Sequence, residues 1–153
     1  MRSLSGLIII VLLKLSLEHL QIIRTHAAST YPEECCGIML GYLANESKTV
    51  VEVIPTENAW SKQESGGKRR RYAIAPEFML KIQKEARSSS LNIIGIYHSH
   101  PDNPAIPSES DRTQAWQEYS YIIVSVPNKK AGELKSWCLD DTHQFQEEKI
   151  EIA

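Results

Sequence analysis

The most informative part of this sequence is the stretch HSHPDNPAIPSESD, which runs from His98 to Asp111. It follows an apolar run at residues 92–97 that has the composition of a β-strand. Two histidines that flank one residue on an extended backbone point to the same side, because side chains alternate along a strand. A loop then returns the chain so that Asp111 can join His98 and His100. Two imidazole nitrogens, one carboxylate oxygen and an open fourth position form the ligand set of a catalytic zinc.

A second acidic segment lies far upstream, in the stretch YPEECCGIMLG from Tyr31 to Gly41. Together the two stretches resemble the JAMM/MPN+ metalloprotease family, whose signature joins an upstream glutamate to the patterns HSHP and PSxxD. The resemblance runs from about residue 15 to near the C-terminus and is closest to small single-domain bacterial-type members. It implies an α/β fold of the cytidine-deaminase-like kind, an α/β/α sandwich in which helices flank a mixed β-sheet. One domain over residues 1–153 is expected.

The resemblance also implies a role for each of five residues. His98, His100 and Asp111 would hold one zinc ion per chain, and the metal would activate a water molecule for attack on a carbonyl. Glu34 would act as the general base and pass the proton to the leaving amine. Ser108 lies one helical turn before Asp111, so its hydroxyl would donate to the oxyanion that forms during attack.

Glu33 competes with Glu34 for the role of base. Adjacent residues on a strand face opposite sides, so only one of the two can face the zinc. Pro32, Glu34 and Cys36 reproduce the register of the family's glutamate segment. We therefore interpret Glu34 as the base and Glu33 as a solvated loop carboxylate.

Other polar residues near the motif have structural interpretations. Asp102 follows the histidines directly, and we interpret it as a solvated loop residue rather than a ligand. Ser108 also has the sequence signature of a helix N-cap, a role that is compatible with donation to an oxyanion. His19, His26 and His143 lie outside the motif and are expected on the surface or on a helix face.

Composition limits the classes of partner. The chain has 153 residues, a formal net charge of -2 and three cysteines, of which two are adjacent. This charge gives no basis for binding nucleic acid or an anionic membrane. An odd number of cysteines predicts free thiols in a reducing compartment, so a cytoplasmic location is expected. The apolar run at residues 6–13 is interpreted as a buried strand, with a signal-peptide core as the alternative. It is too short for stable membrane insertion, which takes about 20 apolar residues.

Hydrophobic periodicity and turn residues predict alternating strands and helices followed by a meander. The predicted strands are residues 8–17, 35–42, 48–54, 72–74, 92–97, 119–126, 133–139 and 144–152. The predicted helices are residues 16–29, a segment that begins at Pro76, and residues 108–118. Ser16 is a candidate N-cap for the first helix.

The segment at residues 58–71 is polar and contains a Gly-Gly pair, which predicts a loop. Its end, from Lys68 to Arg71, is the only run of like charges in the chain. The default interpretation is a solvated loop. The alternative is that this basic segment borders the active cleft and contacts an acidic partner or a substrate carboxylate.

The resemblance implies a zinc-dependent peptidase or isopeptidase that hydrolyses an amide bond. We expect this bond to follow the Gly-ended C-terminal tail of a ubiquitin-like or sulfur-carrier protein, because glycine lets a backbone approach closely in a narrow cleft. An edge strand beside the cleft would pair with that tail.

Three other functions can be compared with this expectation. The first is a hydrolase of small peptides or cell-wall peptides. The second, from a different class, is a non-catalytic MPN scaffold module, which would have no need for the complete set of five site residues. The third is a zinc deaminase, but that chemistry needs a PCxxC ligand motif, which this sequence lacks.

Overall fold

The computed structural model describes residues 12–153. Within this range the strands are β1 (Leu12–Leu15), β2 (Cys36–Ala44), β3 (Ser47–Thr56), β4 (Asn92–Pro101), β5 (Ser120–Val126), β6 (Leu134–Leu139) and β7 (Phe145–Ile152). The α-helices are α1 (Leu17–Thr30), α2 (Pro76–Ser88) and α3 (Glu109–Gln114). Two 3₁₀ turns lie at Glu64–Arg69 and Pro127–Lys129.

The strands form one mixed sheet in the order β1-β3-β2-β4-β5-β6-β7. This confirms the predicted α/β class with a mixed sheet and helices. The sheet also closes on itself, because β1 pairs in parallel with both β3 and β7. Every strand between residues 12 and 153 therefore has a neighbour on each side. The expectation of a free edge strand beside the cleft is wrong, because this closure uses both edges.

Two helices cover opposite faces of the central strands. Ile23 and Ala27 of α1 belong to one core cluster, which also includes Met39 of β2. Ile82 and Ala86 of α2 belong to a second cluster on the other face. Each helical pair has a spacing of four residues, which places both side chains on one side of the helix. β2 and β4 are thus buried between two layers, and this fixes the strands that carry the site.

The start of α1 is set by a capping box. The Ser16 hydroxyl accepts a hydrogen bond from the His19 amide at 3.0 Å, and His19 Nδ1 accepts one from the Ser16 amide at 3.1 Å. This reciprocal arrangement satisfies two backbone donors that a helix start otherwise leaves unpaired. The predicted cap at Ser16 is confirmed, and β1 ends at Leu15 because the cap begins the helix.

The first predicted strand ends at Leu15 rather than at residue 17, and β4 continues to Pro101 rather than ending at residue 97. Two further elements differ more. Residues 72–74 are not a strand, because the Ala73 amide donates to Asn58 Oδ1 at 3.2 Å and the Ala73 carbonyl accepts from the Ala59 amide at 2.8 Å. The third helix is shorter than residues 108–118, since Ala115 already has an extended backbone.

The N-terminal part of the apolar run, residues 6–11, lies outside the described residues. Among residues 12–153, no helix is long and apolar enough to cross a membrane. The assignment of residues 1–153 to one domain stays a prediction.

Candidate metal centre

The antiparallel pairing of β2 with β4 brings the two motifs together. Cys36 lies opposite His98 in this register. One residue further, the Ser99 amide donates to the Cys35 carbonyl at 3.3 Å, and the Cys35 amide donates to the Ser99 hydroxyl at 2.8 Å. Continuing the same register places Glu34 beside His100. Residues separated by more than sixty positions in sequence therefore meet at one end of two buried strands.

His98, His100 and Asp111 form a compact group whose ligand atoms all lie within 4.8 Å of one another. Asp111 Oδ1 lies 3.2 Å from His98 Nε2, and Asp111 Oδ2 lies 3.0 Å from His100 Nε2. The two Nε2 atoms are 3.2 Å apart. Two nitrogens and a carboxylate thus converge on one point, as the sequence predicted for the ligands.

The surroundings of the imidazoles fit a metal at this point. His100 Nδ1 lies 2.9 Å from the Pro104 carbonyl, which can only accept a hydrogen bond. Nδ1 therefore carries a proton, and Nε2 is directed towards Asp111 and His98, where a metal would lie. A carbonyl that fixes the tautomer in this way is the usual outer partner of a metal-bound histidine. The ring of Tyr72 stacks on His98 at a centroid distance of 4.4 Å and limits its rotation.

Asp111 is oriented by a second capping box at the start of α3. The Ser108 amide donates to Asp111 Oδ2 at 2.9 Å, and the Asp111 amide donates to the Ser108 hydroxyl oxygen at 3.0 Å. Burial by itself would raise the pKa of Asp111, but the charges and hydrogen bonds of His98 and His100 outweigh it and hold that pKa well below its usual range. The carboxylate is therefore ionised.

Ser108 is the N-cap of α3, and its role as a donor to an oxyanion stays a prediction. Its hydroxyl oxygen caps α3 by accepting the Asp111 amide proton, so its own hydroxyl proton is left to donate elsewhere. The side chain lines the same cleft as Glu34 and His100. A serine in this place can hold the helix start and still offer a donor to a ligand in the cleft.

The cleft has a volume of about 270 Å³. Its lining includes Glu34, His100, Ser108, Ile106 and the three arginines at positions 69–71. The basic segment thus borders the cleft, which is the second of the two interpretations that the sequence allowed. The positive charges can attract an anionic group to the entrance.

Glu34 is 4% exposed, whereas Glu33 lies on the surface. Burial raises the pKa of Glu34 to about 9, helped by the negative charge of Asp111 and opposed by Arg71. Its Oε1 atom is buried and has no hydrogen-bond partner among the described residues. This carboxyl group is therefore poorly solvated.

A second cleft of about 270 Å³ has Asp111 in its wall and shares Arg70 and Arg71 with the first. Five of its lining residues are aromatic, among them Trp60, Tyr72, Trp116 and Tyr119. Sequence reasoning missed these residues because they lie far apart in the chain. No sequence pattern indicates that these residues share one wall, and they come together only in the folded chain.

The remaining candidates take structural positions. Asp102 accepts hydrogen bonds from the Tyr31 hydroxyl at 2.5 Å and from the Asn128 amide at 2.8 Å, so it fastens the loop after β4. His26 contacts the Tyr97 hydroxyl at 2.6 Å through Nδ1. His143 contacts a backbone carbonyl near the end of α3. None of the three belongs to the His-His-Asp group.

The raised pKa of Glu34 generates a prediction about stability. A carboxyl group with a raised pKa binds its proton more tightly in the folded state, so its ionisation costs stability as the pH rises from 4.5 to about 9. A glutamine side chain at this position would not ionise. We therefore expect Glu34→Gln to raise the free energy of unfolding of metal-free protein by about 1–3 kcal/mol near pH 8.

Urea denaturation in the presence of a chelator, near pH 5 and near pH 8, measures this effect. The gain should be small near pH 5, where most of the penalty is absent. Glu33→Gln is the matched control, because Glu33 is exposed. Equal gains at both pH values would show that burial of the Glu34 charge is not the cause.

Comparisons with known proteins place this geometry in a family. The chain is 33% identical over 103 residues to a desampylase from Haloferax volcanii, which covers 67% of this chain and 69% of the relative. It is 30% identical over 108 residues to the probable TtuB-protein conjugate cleaving protease of Thermus thermophilus, which covers 71% of this chain and 66% of the relative.

The fold agrees with this grouping. The solution structure of protein DSY2949 from Desulfitobacterium hafniense matches with a TM-score of 0.78 at 26% identity, over 92% of each chain. Residues 16–140 match the family described as prokaryotic homologs of the JAB domain, and this range contains both motif segments. The chain therefore belongs to the prokaryotic JAB family of JAMM-type hydrolases.

Proposed function

We propose that this protein is a zinc-dependent isopeptidase that cleaves after the Gly-ended tail of a ubiquitin-like or sulfur-carrier protein. The observation that carries this proposal is the buried carboxyl group of Glu34 in the same cleft as His100 and Ser108. The His-His-Asp group beside it offers a ligand set for one zinc ion. The two relatives named above support a substrate that is a protein conjugate.

Each residue of the site has a separate role in the proposed reaction. His98, His100 and Asp111 would hold the zinc, which supplies a Lewis acid that activates water and polarises the amide carbonyl. Glu34 accepts the proton of the attacking water and delivers it to the leaving nitrogen. The Ser108 hydroxyl donates a hydrogen bond to the carbonyl oxygen as negative charge develops there. No covalent intermediate with the protein is required.

The pKa of Glu34 is compatible with this role. In the metal-free protein its value of about 9 keeps the carboxyl group protonated at neutral pH. A divalent cation held by the neighbouring ligands favours the ionised carboxylate, as Arg71 already does. The base would therefore become active only when the ligand group is filled.

The narrow shape and the positive charge of the cleft support this class of substrate. A Gly-Gly tail has no side chains, so its backbone can approach residues at the bottom of a narrow cleft. The arginines at the entrance would attract an acidic carrier and increase its association rate. The cysteines at positions 35, 36 and 138 are free thiols, which supports a cytoplasmic location.

A second candidate function is hydrolysis of small peptides or cell-wall peptides. It is favoured by the second cleft, whose wall contains Asp111 and five aromatic side chains and which has room for a large apolar side chain. The non-catalytic scaffold is disfavoured, because a scaffold gains nothing from a buried, poorly solvated carboxyl group beside a preorganised ligand group.

We expect one zinc ion per chain, bound by His98, His100 and Asp111. Metal analysis of protein purified without chelator should give a stoichiometry near one. Changing either His98 or His100 to alanine removes a ligand and should abolish tight binding. His143→Ala is the control, since His143 lies outside the ligand group. Unchanged zinc affinity in the His98 and His100 variants would reject the assignment.

We expect Glu34→Gln to retain zinc and to lose nearly all turnover, because glutamine fills the same volume but cannot accept a proton. Loss of a general base typically lowers kcat by about 10²–10⁴-fold. Glu33→Gln is the matched control and should remain active, since that side chain is exposed. Mass spectrometry of the cleavage products provides the measurement. The reverse pattern would assign the role to Glu33.

We expect neutralisation of the exposed Arg69 and Arg70 to raise KM at low salt and to leave kcat nearly unchanged. The physical reason is loss of long-range attraction for an acidic carrier, which salt screens. The substrate is a sulfur-carrier protein joined through its terminal glycine to the ε-amino group of a lysine. Lys81→Gln with Lys84→Gln removes the same charge from α2, outside both clefts, and serves as control.

Two outcomes would count against this substrate. A KM that does not change in the Arg69 and Arg70 variants would remove the basic segment from substrate attraction. Rapid cleavage of free peptides together with intact carrier conjugates would favour the second candidate function.

A further inference from the structure

Glu34 lies beyond the end of the sheet. β2 begins at Cys36, so the hydrogen bonds of the strand ladder do not fix the backbone of Glu34. Both of its backbone polar groups are instead held by the loop at residues 58–71. The Glu34 amide donates to the Lys68 carbonyl at 2.8 Å, and the Glu34 carbonyl accepts from Asn58 Nδ2 at 3.1 Å. The direction of the Glu34 side chain therefore depends on this loop.

Asn58 makes four hydrogen bonds, all to backbone groups. Its amide nitrogen donates to the carbonyls of Glu34, at 3.1 Å, and of Arg71, at 2.9 Å. Its Oδ1 atom accepts from the amides of Trp60, at 3.0 Å, and of Ala73, at 3.2 Å. The side chain thus uses both donor hydrogens and both acceptor positions of the carboxamide. It joins three separate segments of the chain at the cleft.

We propose that Asn58 is a positioning residue, whose carboxamide holds the backbones of Glu34 and Arg71 together and so fixes the positions of both side chains at the cleft. This inference rests on the proposed function, in which Glu34 is the base. Arg71 lines the cleft with Glu34 and is the positive charge that stabilises the Glu34 carboxylate. A shift of the loop would move both side chains together with the cleft wall.

No zinc ligand is a direct hydrogen-bond partner of Asn58. His98 and His100 belong to β4, and Asp111 belongs to α3, so neither element contains a hydrogen-bond partner of Asn58. An indirect link runs through Tyr72, which lies between Arg71 and Ala73 and stacks on His98. Loss of the carboxamide should therefore disturb the base directly and the ligand group only through this ring. This separation allows positioning of the base to be measured apart from metal binding.

The first experiment needs no substrate. Asn58→Asp keeps the size and one acceptor oxygen but places an oxygen against the two carbonyls that the amide nitrogen contacts. Asn58→Ala removes all four hydrogen bonds. The Glu34 amide donates to the Lys68 carbonyl of the same loop, so displacement of the loop should weaken this bond. Amide hydrogen exchange of the zinc-loaded protein, followed by NMR, should therefore be faster at Glu34 in both variants. Exchange at Trp60 and Ala73 should become faster chiefly in Asn58→Ala.

The second experiment measures kinetics on the zinc-loaded protein with the lysine conjugate of the sulfur carrier. Misplacement of a catalytic group by about 1 Å costs up to about a hundredfold in rate, so Asn58→Asp should lower kcat about ten- to a hundredfold. Zinc stoichiometry and the absorption spectrum of the cobalt-substituted protein should match those of the parent. Asn45→Asp adds the same charge at an exposed turn and serves as the matched control.

A double-mutant cycle with Arg71→Met separates positioning from general destabilisation. If Asn58 acts through Arg71 and Glu34, the double variant should be no slower than the slower single variant. Independent effects that multiply would overturn the proposal. Parent-like kcat per zinc-loaded, folded molecule in Asn58→Asp would also overturn it and leave Asn58 with a purely structural role.

The two proposals fail in different ways. If the zinc-loaded parent hydrolyses neither the carrier conjugate nor peptides, the proposed function is wrong, and hydrogen exchange alone decides whether Asn58 holds Glu34. If the parent is active and exchange at Glu34 is unchanged in Asn58→Ala, the positioning role is wrong and the proposed function stands.

Discussion

The site depends on the register between β2 and β4. The pairing of Cys36 with His98, extended by the hydrogen bonds between Cys35 and Ser99, sets Glu34 beside the histidines. A shift of one residue would turn every side chain of one strand to the opposite face. Core packing opposes such a shift, because Ile38 and Met39 are fully buried in different clusters on the two faces. The hydrophobic core thus specifies the geometry of the polar site.

The polar groups at the site are oriented by hydrogen bonds from outside the His-His-Asp group as well as by contacts with one another. The Pro104 carbonyl sets the tautomer of His100, and the amide of Ser108 orients Asp111. Asn58 does the same for the backbone of Glu34. Groups held in this way need little rearrangement when charge develops, which is the main source of electrostatic catalysis. The loss of folding stability that this arrangement causes falls mainly on one residue, since the buried carboxyl group of Glu34 is poorly solvated. A buried polar group that destabilises the fold at a functional site is a common compromise between stability and activity.

The two clefts at the site share Arg70 and Arg71 but differ in their other lining residues. One contains Glu34, His100 and Ser108, and the other contains Asp111 and five aromatic side chains. The described strands all have neighbours on both sides, so no sheet edge within residues 12–153 is open for strand pairing.

The sequence by itself determined the α/β class, the order of most elements and the identity of the ligand candidates. These depend on local patterns: periodicity, caps such as Ser16 and Ser108, and the fixed spacing of His98, His100 and Asp111. Only the tertiary structure decided the closure of the sheet, the position of the basic segment at the cleft and the fourfold hydrogen bonding of Asn58. Each of these depends on contacts between residues distant in the chain. A polar loop residue such as Asn58 has no periodic signal, because its partners are backbone groups that every sequence contains.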